Sequence, residues 1–126
     1  MKNLPKIIGI LNEEIKNYFK LEESLVYIGE KNEEHIRNKH YEDYEMYFEY
    51  ISEIISSPDY FGKNLKDDSI ELIKEFKISE KVYIKVAVRI SKNGVLFART
   101  LYRLTASERF EYQLSKGFYK KLESKK

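Results

Sequence analysis

The stretch KVYIKVAVRISKNGVLFARTLYRL, residues 81–104, decides the fold. Val82, Ile84, Val86, Val88 and Ile90 recur at every second position, the period of a strand with one buried face. A second β-prone run, VLFARTLYRL, starts at Val95. Between the two stands Asn93-Gly94, a pair that tolerates the positive φ angles of a tight hairpin turn. With a two-residue turn, Ile90 faces Phe97, Val88 faces Arg99, Val86 faces Leu101 and Ile84 faces Arg103. That face is mostly apolar. The opposite face carries Tyr83, Lys85, Ala87, Arg89, Ala98, Thr100 and Tyr102. Its two cations, one hydroxyl and two phenols form an anion platform, unless the face is simply solvated. A three-residue turn would shift the register and bring Arg99 beside Ala87 on that platform.

Outward from the hairpin, SIELIKEFKI (69–78) reads as a third strand of an antiparallel meander. Further upstream, Tyr44, Tyr47, Phe48, Ile51, Ile54 and Ile55 keep helical spacing, with acidic residues on the other face. Asn32 is placed to cap this helix, with Glu33 and Glu34 in the first turn. Ser57-Pro58 ends it, because the residue before proline avoids the helical region. The loop SPDYFGKNLKDD (57–68) follows. SLVYIG (24–29) reads as a short strand, and PKIIGILNEEIKNY (5–18) as a helix opened by Pro5. After the hairpin, Thr105-Ala106-Ser107-Glu108 is a capping box for a last helix that Gly117 can close. Helix, strand, helix, meander and helix make an α+β class chain, expected to be one domain over residues 1–126.

Composition narrows the chemistry. With no cysteine there is neither a disulfide framework nor a thiolate metal site. No apolar run approaches the roughly 20 residues of a membrane span. The start, MKNLPKIIGILNEE, turns acidic after a short apolar run and shows no small-residue cleavage site, which points to a cytoplasmic location or to a domain cut from a longer chain. Residues 1–80 hold 11 Lys and Arg against 18 Asp and Glu, net −7. Residues 81–126 hold 12 against 3, net +9. Such asymmetry suits a polyanionic partner for the basic part, or mutual neutralisation of the two parts. No phosphate-binding glycine loop, G-x-S-x-G elbow or EF-hand is present.

Both histidines lie in HIRNKH, 35–40. On one continuous helix their rings point about 140° apart. Paired helical metal ligands want spacings of three or four, so a shared metal is not expected. A helix starting at Asn32 puts His35 in the first turn, where the positive helix end favours the neutral ring that a general base needs. His40 falls on the inward stripe with Tyr44 and Tyr47, where a partly buried histidine hydrogen-bonded to a tyrosine is the plain reading. Among the carboxylates, Asp59 in Pro58-Asp59-Tyr60-Phe61-Gly62 is the candidate substrate contact.

Two stretches carry a resemblance. HIRNKHYEDYEMYFEYISEIISSPDYFG (35–62) resembles the H-I-x-x-x-H-P-x-x-Y … I-I-x-x-P-D-Y-[IV]-G segment of the phage Barnase–EndoU–Colicin–RelE-like (BECR) nuclease domains, and VYIKVAVRISKNGVLFARTLYRL (82–104) resembles their basic hairpin. The likeness runs from Ile7 to about Leu122, with Tyr41 standing where that pattern has proline. It implies N-terminal helices on an antiparallel sheet of about four strands. It also implies a toxin-like endoribonuclease of a mobile element, needing neither metal nor cofactor. RNA is the implied partner, alongside a possible inhibitor or immunity protein. Its site would comprise His35, His40, Arg99, Thr100 and Tyr102, with Lys85 or Arg89 assisting. The competing expectation is a non-catalytic module that binds nucleic acid or protein.

Overall fold

The alternating run becomes the middle of a large sheet. A computed structural model describes residues 4–77, 80–104 and 107–123 of the chain. Its elements are β1 (Lys6–Ile10), α1 (Glu13–Tyr18), β2 (Leu25–Ile28), α2 (Glu30–Lys39), α3 (Tyr41–Tyr47), a 3-10 turn (Phe48–Tyr50), α4 (Ile51–Ser56), β3 (Tyr60–Lys63), β4 (Ile70–Lys77), β5 (Lys81–Ile90), β6 (Leu96–Arg103), α5 (Ser107–Ser115) and β7 (Tyr119–Lys121). Among the described residues the seven strands form one sheet in the order β1-β2-β6-β5-β4-β3-β7. All neighbours are antiparallel except β2 and β6. The class is α+β as expected, but the sheet has seven strands where about four were expected. The additional strands β1, β3 and β7 are only 5, 4 and 3 residues long. β3 lies within the expected 57–68 loop.

The hairpin departs from the two-residue turn in an informative way. Ser91 N–H donates to the Val95 carbonyl at 2.8 Å, so the turn has three residues, Lys92-Asn93-Gly94. Gly94 closes it at φ +82°, a conformation that costs glycine nothing. Near the turn, Ile90 pairs with Leu96 and Val88 with Ala98; past it, Ala87 pairs with Thr100 and Val86 with Leu101. Arg99 is therefore an extra residue, a β-bulge. The inward set is Leu96, Ala98 and Leu101, all buried, rather than Phe97, Arg99 and Leu101. Ala98 accordingly leaves the platform for the core. Tyr83 is buried too, because α5 lays Phe110 over it with ring centroids 4.6 Å apart.

Two helices also differ from expectation. Residues 6–10 pair with β2 as a strand, since Ile7, Ile8 and Ile10 suit a pleated surface as well as a helix face. Asn12 then caps α1, its side chain accepting from the N–H groups of Glu14 and Ile15. The long helix over 33–56 begins at Glu30, with Gly29 rather than Asn32 as its cap, and breaks at His40 (φ −129°, ψ 55°). Tyr41 becomes the first residue of α3, the position where proline is favoured, which accounts for proline there in the resembling pattern. The capping box at 105–108 lies outside the described residues.

The core fills one side of the sheet. Val26, Ile84, Val86, Val88 and Leu101 pack beneath Ile15, Ile36, Ile51, Ile54 and Ile55. On the other side a smaller cluster of Ile73, Tyr83, Phe110 and Tyr119 forms where α5 docks. The rest of that side is open. β2 pairs with β6 only at Val26–Tyr27 against Leu96–Phe97. Beyond that short pairing, α2 and α3 lie against β6. The Asp43 carboxylate takes the free Arg103 N–H there at 3.0 Å.

Candidate active site

The open side of the sheet supplies a floor of two cross-strand rows. One is Glu71–Ala87–Thr100 and the next Ile73–Lys85–Tyr102. The small Ala87 leaves a hollow between its neighbours. α2 forms the wall, bringing Asn32, His35, Lys39 and His40 to the same hollow; the loop after β3 brings Asn64, Asp67 and Ser69. The cleft measures about 470 Å³. The bulge decides its chemistry, because it turns Arg99 and Thr100, neighbours in sequence, toward one cleft.

His40 lies flat on Tyr102, with ring centroids 5.0 Å apart and planes 24° from parallel. The Lys85 ammonium stands 5.4 Å from the centre of the Tyr102 ring. His35 lines the cleft from an exposed position on α2. α2 ends at Lys39, and His40 stands at its C-terminal cap, yet both histidines line this one cleft. His35 is the sixth residue of α2, so the first-turn dipole argument does not apply to it.

Each floor cation has a carboxylate partner. Lys85 Nζ is 3.3 Å from Glu71 Oε2, with both side chains nearly buried. Glu71 also accepts from Asn64 Nδ2 at 3.0 Å and from the Tyr119 hydroxyl at 2.5 Å. Burial and that bond to Glu71 push the Tyr119 phenol far above its usual range. Arg99 Nη1 is 2.8 Å from Asp67 Oδ2 in a half-exposed pair. Asp67 Oδ1 accepts the Ser69 N–H at 3.0 Å, and Asn64 Oδ1 folds the loop by accepting from Lys66 N–H. The Ser69 N–H, the largest influence, holds the Asp67 carboxyl below the ordinary carboxylate range; desolvation, next in size, opposes it, and smaller contributions from Ser69 and Arg99 add to the lowering. Three cations and two carboxylates thus face the cleft together with two imidazoles. Among the described residues no three His, Asp or Glu side chains are grouped to hold a metal ion.

Of the residues singled out in the sequence, His35, His40, Lys85, Arg99, Thr100 and Tyr102 share this cleft. Arg89 does not; it lines an adjoining cavity. Asp59 does not either. Its carboxylate accepts the Glu75 N–H at 2.7 Å and its backbone bonds to Ile73 and Leu122, fastening the end of β3 to β4 and β7. Asp67, Glu71, Asn64 and Lys39 were not anticipated. Glu71 alone left a trace, as a charge inside the apolar run Ile70-Glu71-Leu72-Ile73.

No helix among the described residues is long and apolar enough to cross a membrane. No curated protein and no solved structure matches the chain. A family model does, over residues 5–111, from just before β1 to within α5. That span includes the whole imidazole wall and the sheet floor, and it covers far more than half of the 126 residues. The chain belongs to the phage-Barnase-EndoU-ColicinE5/D-RelE like nuclease 3 family.

Proposed function

We propose that the protein is a metal-independent endoribonuclease acting through the 2′-hydroxyl of its substrate. One imidazole takes the 2′-hydroxyl proton as that oxygen bonds to phosphorus. The bond from phosphorus to the 5′-oxygen breaks, and the leaving oxygen takes a proton from the other imidazole or from the Tyr102 hydroxyl. The products carry a 2′,3′-cyclic phosphate and a free 5′-hydroxyl. Arg99 and Lys85 balance the charge that grows on the phosphorane, and Thr100 donates a hydrogen bond to it. Positioned acid and base groups contribute roughly 10²–10⁴-fold to such a step.

One observation carries this reading: both imidazoles line the same cleft as Arg99, Thr100, Tyr102 and Lys85. The family supports nuclease chemistry in general. A toxin-like role with an inhibitor partner rests on the sequence resemblance alone. The test is incubation of RNA with the protein in excess EDTA, followed by analysis of the fragment ends. Cleavage leaving cyclic phosphate ends is expected. Loss of cleavage in EDTA overturns the metal-free mechanism. Binding without any cleavage returns the protein to the class of non-catalytic modules.

A further inference from the structure

A second cavity, of about 590 Å³, opens beside the cleft and shares Asn32 and Arg99 with it. Arg89, Lys92 and Phe97 complete its chemistry. From the nuclease reading of the cleft and these residues, we infer that this cavity seats a nucleotide next to the cleaved one in a single-stranded RNA. The base stacks on Phe97, the phosphate meets Arg89 and Lys92, and the Asn32 amide faces the base edge.

The bulge is the reason such a track exists. Strand alternation would turn Phe97 and Tyr102, five residues apart, to opposite sides of the sheet. The extra residue at Arg99 returns both to the open side, with Arg99 and Thr100 between them. The cross-strand partners then repeat a pattern: Phe97 is opposite Arg89, and Tyr102 is opposite Lys85. Two pairs of one aromatic and one cation therefore flank Arg99, about 13 Å apart at the usual strand rise. Aromatic faces for bases and cations for phosphates are what a single strand needs. A base paired in a duplex stays stacked on its neighbours and cannot lie on Phe97.

Phe97 is held yet open. Tyr27 on the neighbouring strand packs at one side, ring centroids 6.2 Å apart, and Phe97 remains only partly buried. Arg89 and Lys92 are exposed and make no ion pair among the described residues. In the cleft, by contrast, Lys85 and Arg99 are both matched by carboxylates. The adjoining cavity thus offers cations that a backbone phosphate can take without displacing an internal partner.

The test uses labelled 2′-O-methyl oligonucleotides, which lack the attacking hydroxyl, so affinity is read apart from cleavage. A dinucleotide, a tetranucleotide and a hairpin duplex are titrated by fluorescence anisotropy at several salt concentrations. Wild type binds the tetranucleotide about tenfold or more tightly than the dinucleotide, and the single strand more tightly than the duplex. Phe97→Ala loses at least about fivefold of the length advantage, the lower bound for one stacked base, with the salt slope unchanged. Phe97→Trp keeps the advantage. Arg89→Ala lowers the slope of log affinity against log salt by about 0.7, one phosphate contact. If Phe97→Ala does not fold, Phe97→Leu keeps the bulk and removes the aromatic face. An unchanged length advantage in Phe97→Leu and Arg89→Ala, or equal affinity for the duplex, overturns the inference and assigns the cavity to another occupant. Retention of these contrasts by a protein that cuts no RNA overturns the cleavage mechanism alone.

Discussion

The His40 imidazole lies on the Tyr102 ring with centroids 5.0 Å apart and planes 24° from parallel, so a residue on a helix break is aimed by a residue on the sheet. The contact with His40 is made by the Tyr102 ring rather than by its hydroxyl. Tyr102→Phe is expected to keep kcat within about threefold of wild type, while Tyr102→Leu lowers it tenfold or more by freeing His40. Single-turnover cleavage of a short RNA measures both. A loss of about 10²-fold in Tyr102→Phe assigns the acid role to the hydroxyl.

Arg99 is the bulge residue and its pairing with Asp67 is half-exposed, 41% and 44% by side chain. Such pairs are worth about 0–1 kcal/mol. Arg99→Ala is therefore expected to change unfolding free energy by less than about 1 kcal/mol while lowering kcat by roughly 10²–10³-fold, as loss of an anion-stabilising donor does. Arg99→Lys recovers little, because a point charge does not replace the forked guanidinium. In the proposed reaction, Asp67 competes with the substrate phosphate for Arg99. Asp67→Asn keeps an oxygen to accept the Ser69 N–H but removes the competing charge, and is expected to lower KM severalfold. Urea unfolding and steady-state kinetics separate these outcomes.

Lys85 behaves differently because its partner is buried. The Glu71 side chain is 8% exposed, and losing Lys85 leaves its charge with only Asn64 and Tyr119 as partners among the described residues. Lys85→Ala is expected to cost about 3 kcal/mol or more, as breaking a buried pair does. The double variant Glu71→Gln, Lys85→Met removes both charges and is expected to regain most of that stability without regaining cleavage. Denaturant midpoints and cleavage rates on the same samples test this. Full activity in the double variant removes Lys85 from the site.

The β5–β6 hairpin was legible because its alternation is local and the turn residues sit in the sequence. The bulge at Arg99 was not. It arises from the three-residue turn, which offsets the strands by one, and from Val86–Leu101 and Ala87–Thr100, which keep the other register. Only that compromise brings Arg99 and Thr100 to one side. β1 was hidden because Ile7, Ile8 and Leu11 satisfy helical spacing as well, and pairing with β2 decides the matter from outside the segment. The break at His40 was hidden because α2 and α3 join without a glycine or proline. The cations of the platform were readable from strand parity, but their carboxylate partners Glu71 and Asp67 depend on contacts across strands and loops.

Stability toward acid should report on the joint that carries His40. Glu33 Oε2 accepts the Tyr44 hydroxyl at 2.7 Å, and the Glu33 carboxylate pairs with Lys6 at 3.4 Å and with Arg37 at 3.8 Å. These contacts tie α2 to α3 and to β1 on either side of the break. Partial burial pushes the Glu33 carboxyl up, but the Tyr44 hydroxyl and the charges of Lys6 and Arg37 outweigh it and hold the carboxyl below the usual range. A carboxyl depressed in the folded state binds fewer protons there than in the unfolded chain, so stability falls as pH drops. Its contribution is fully present above the unfolded value of about 4.3 and is lost as pH passes down through the folded value. Asp67, depressed as well, adds to the same acid limb. The stability gap between wild type and Glu33→Gln is therefore expected to stay constant from pH 8 to about 5.5 and to narrow steadily toward pH 3. Urea unfolding at each pH measures it. A gap that widens on acidification would mean that the carboxylate strains the joint instead of holding it.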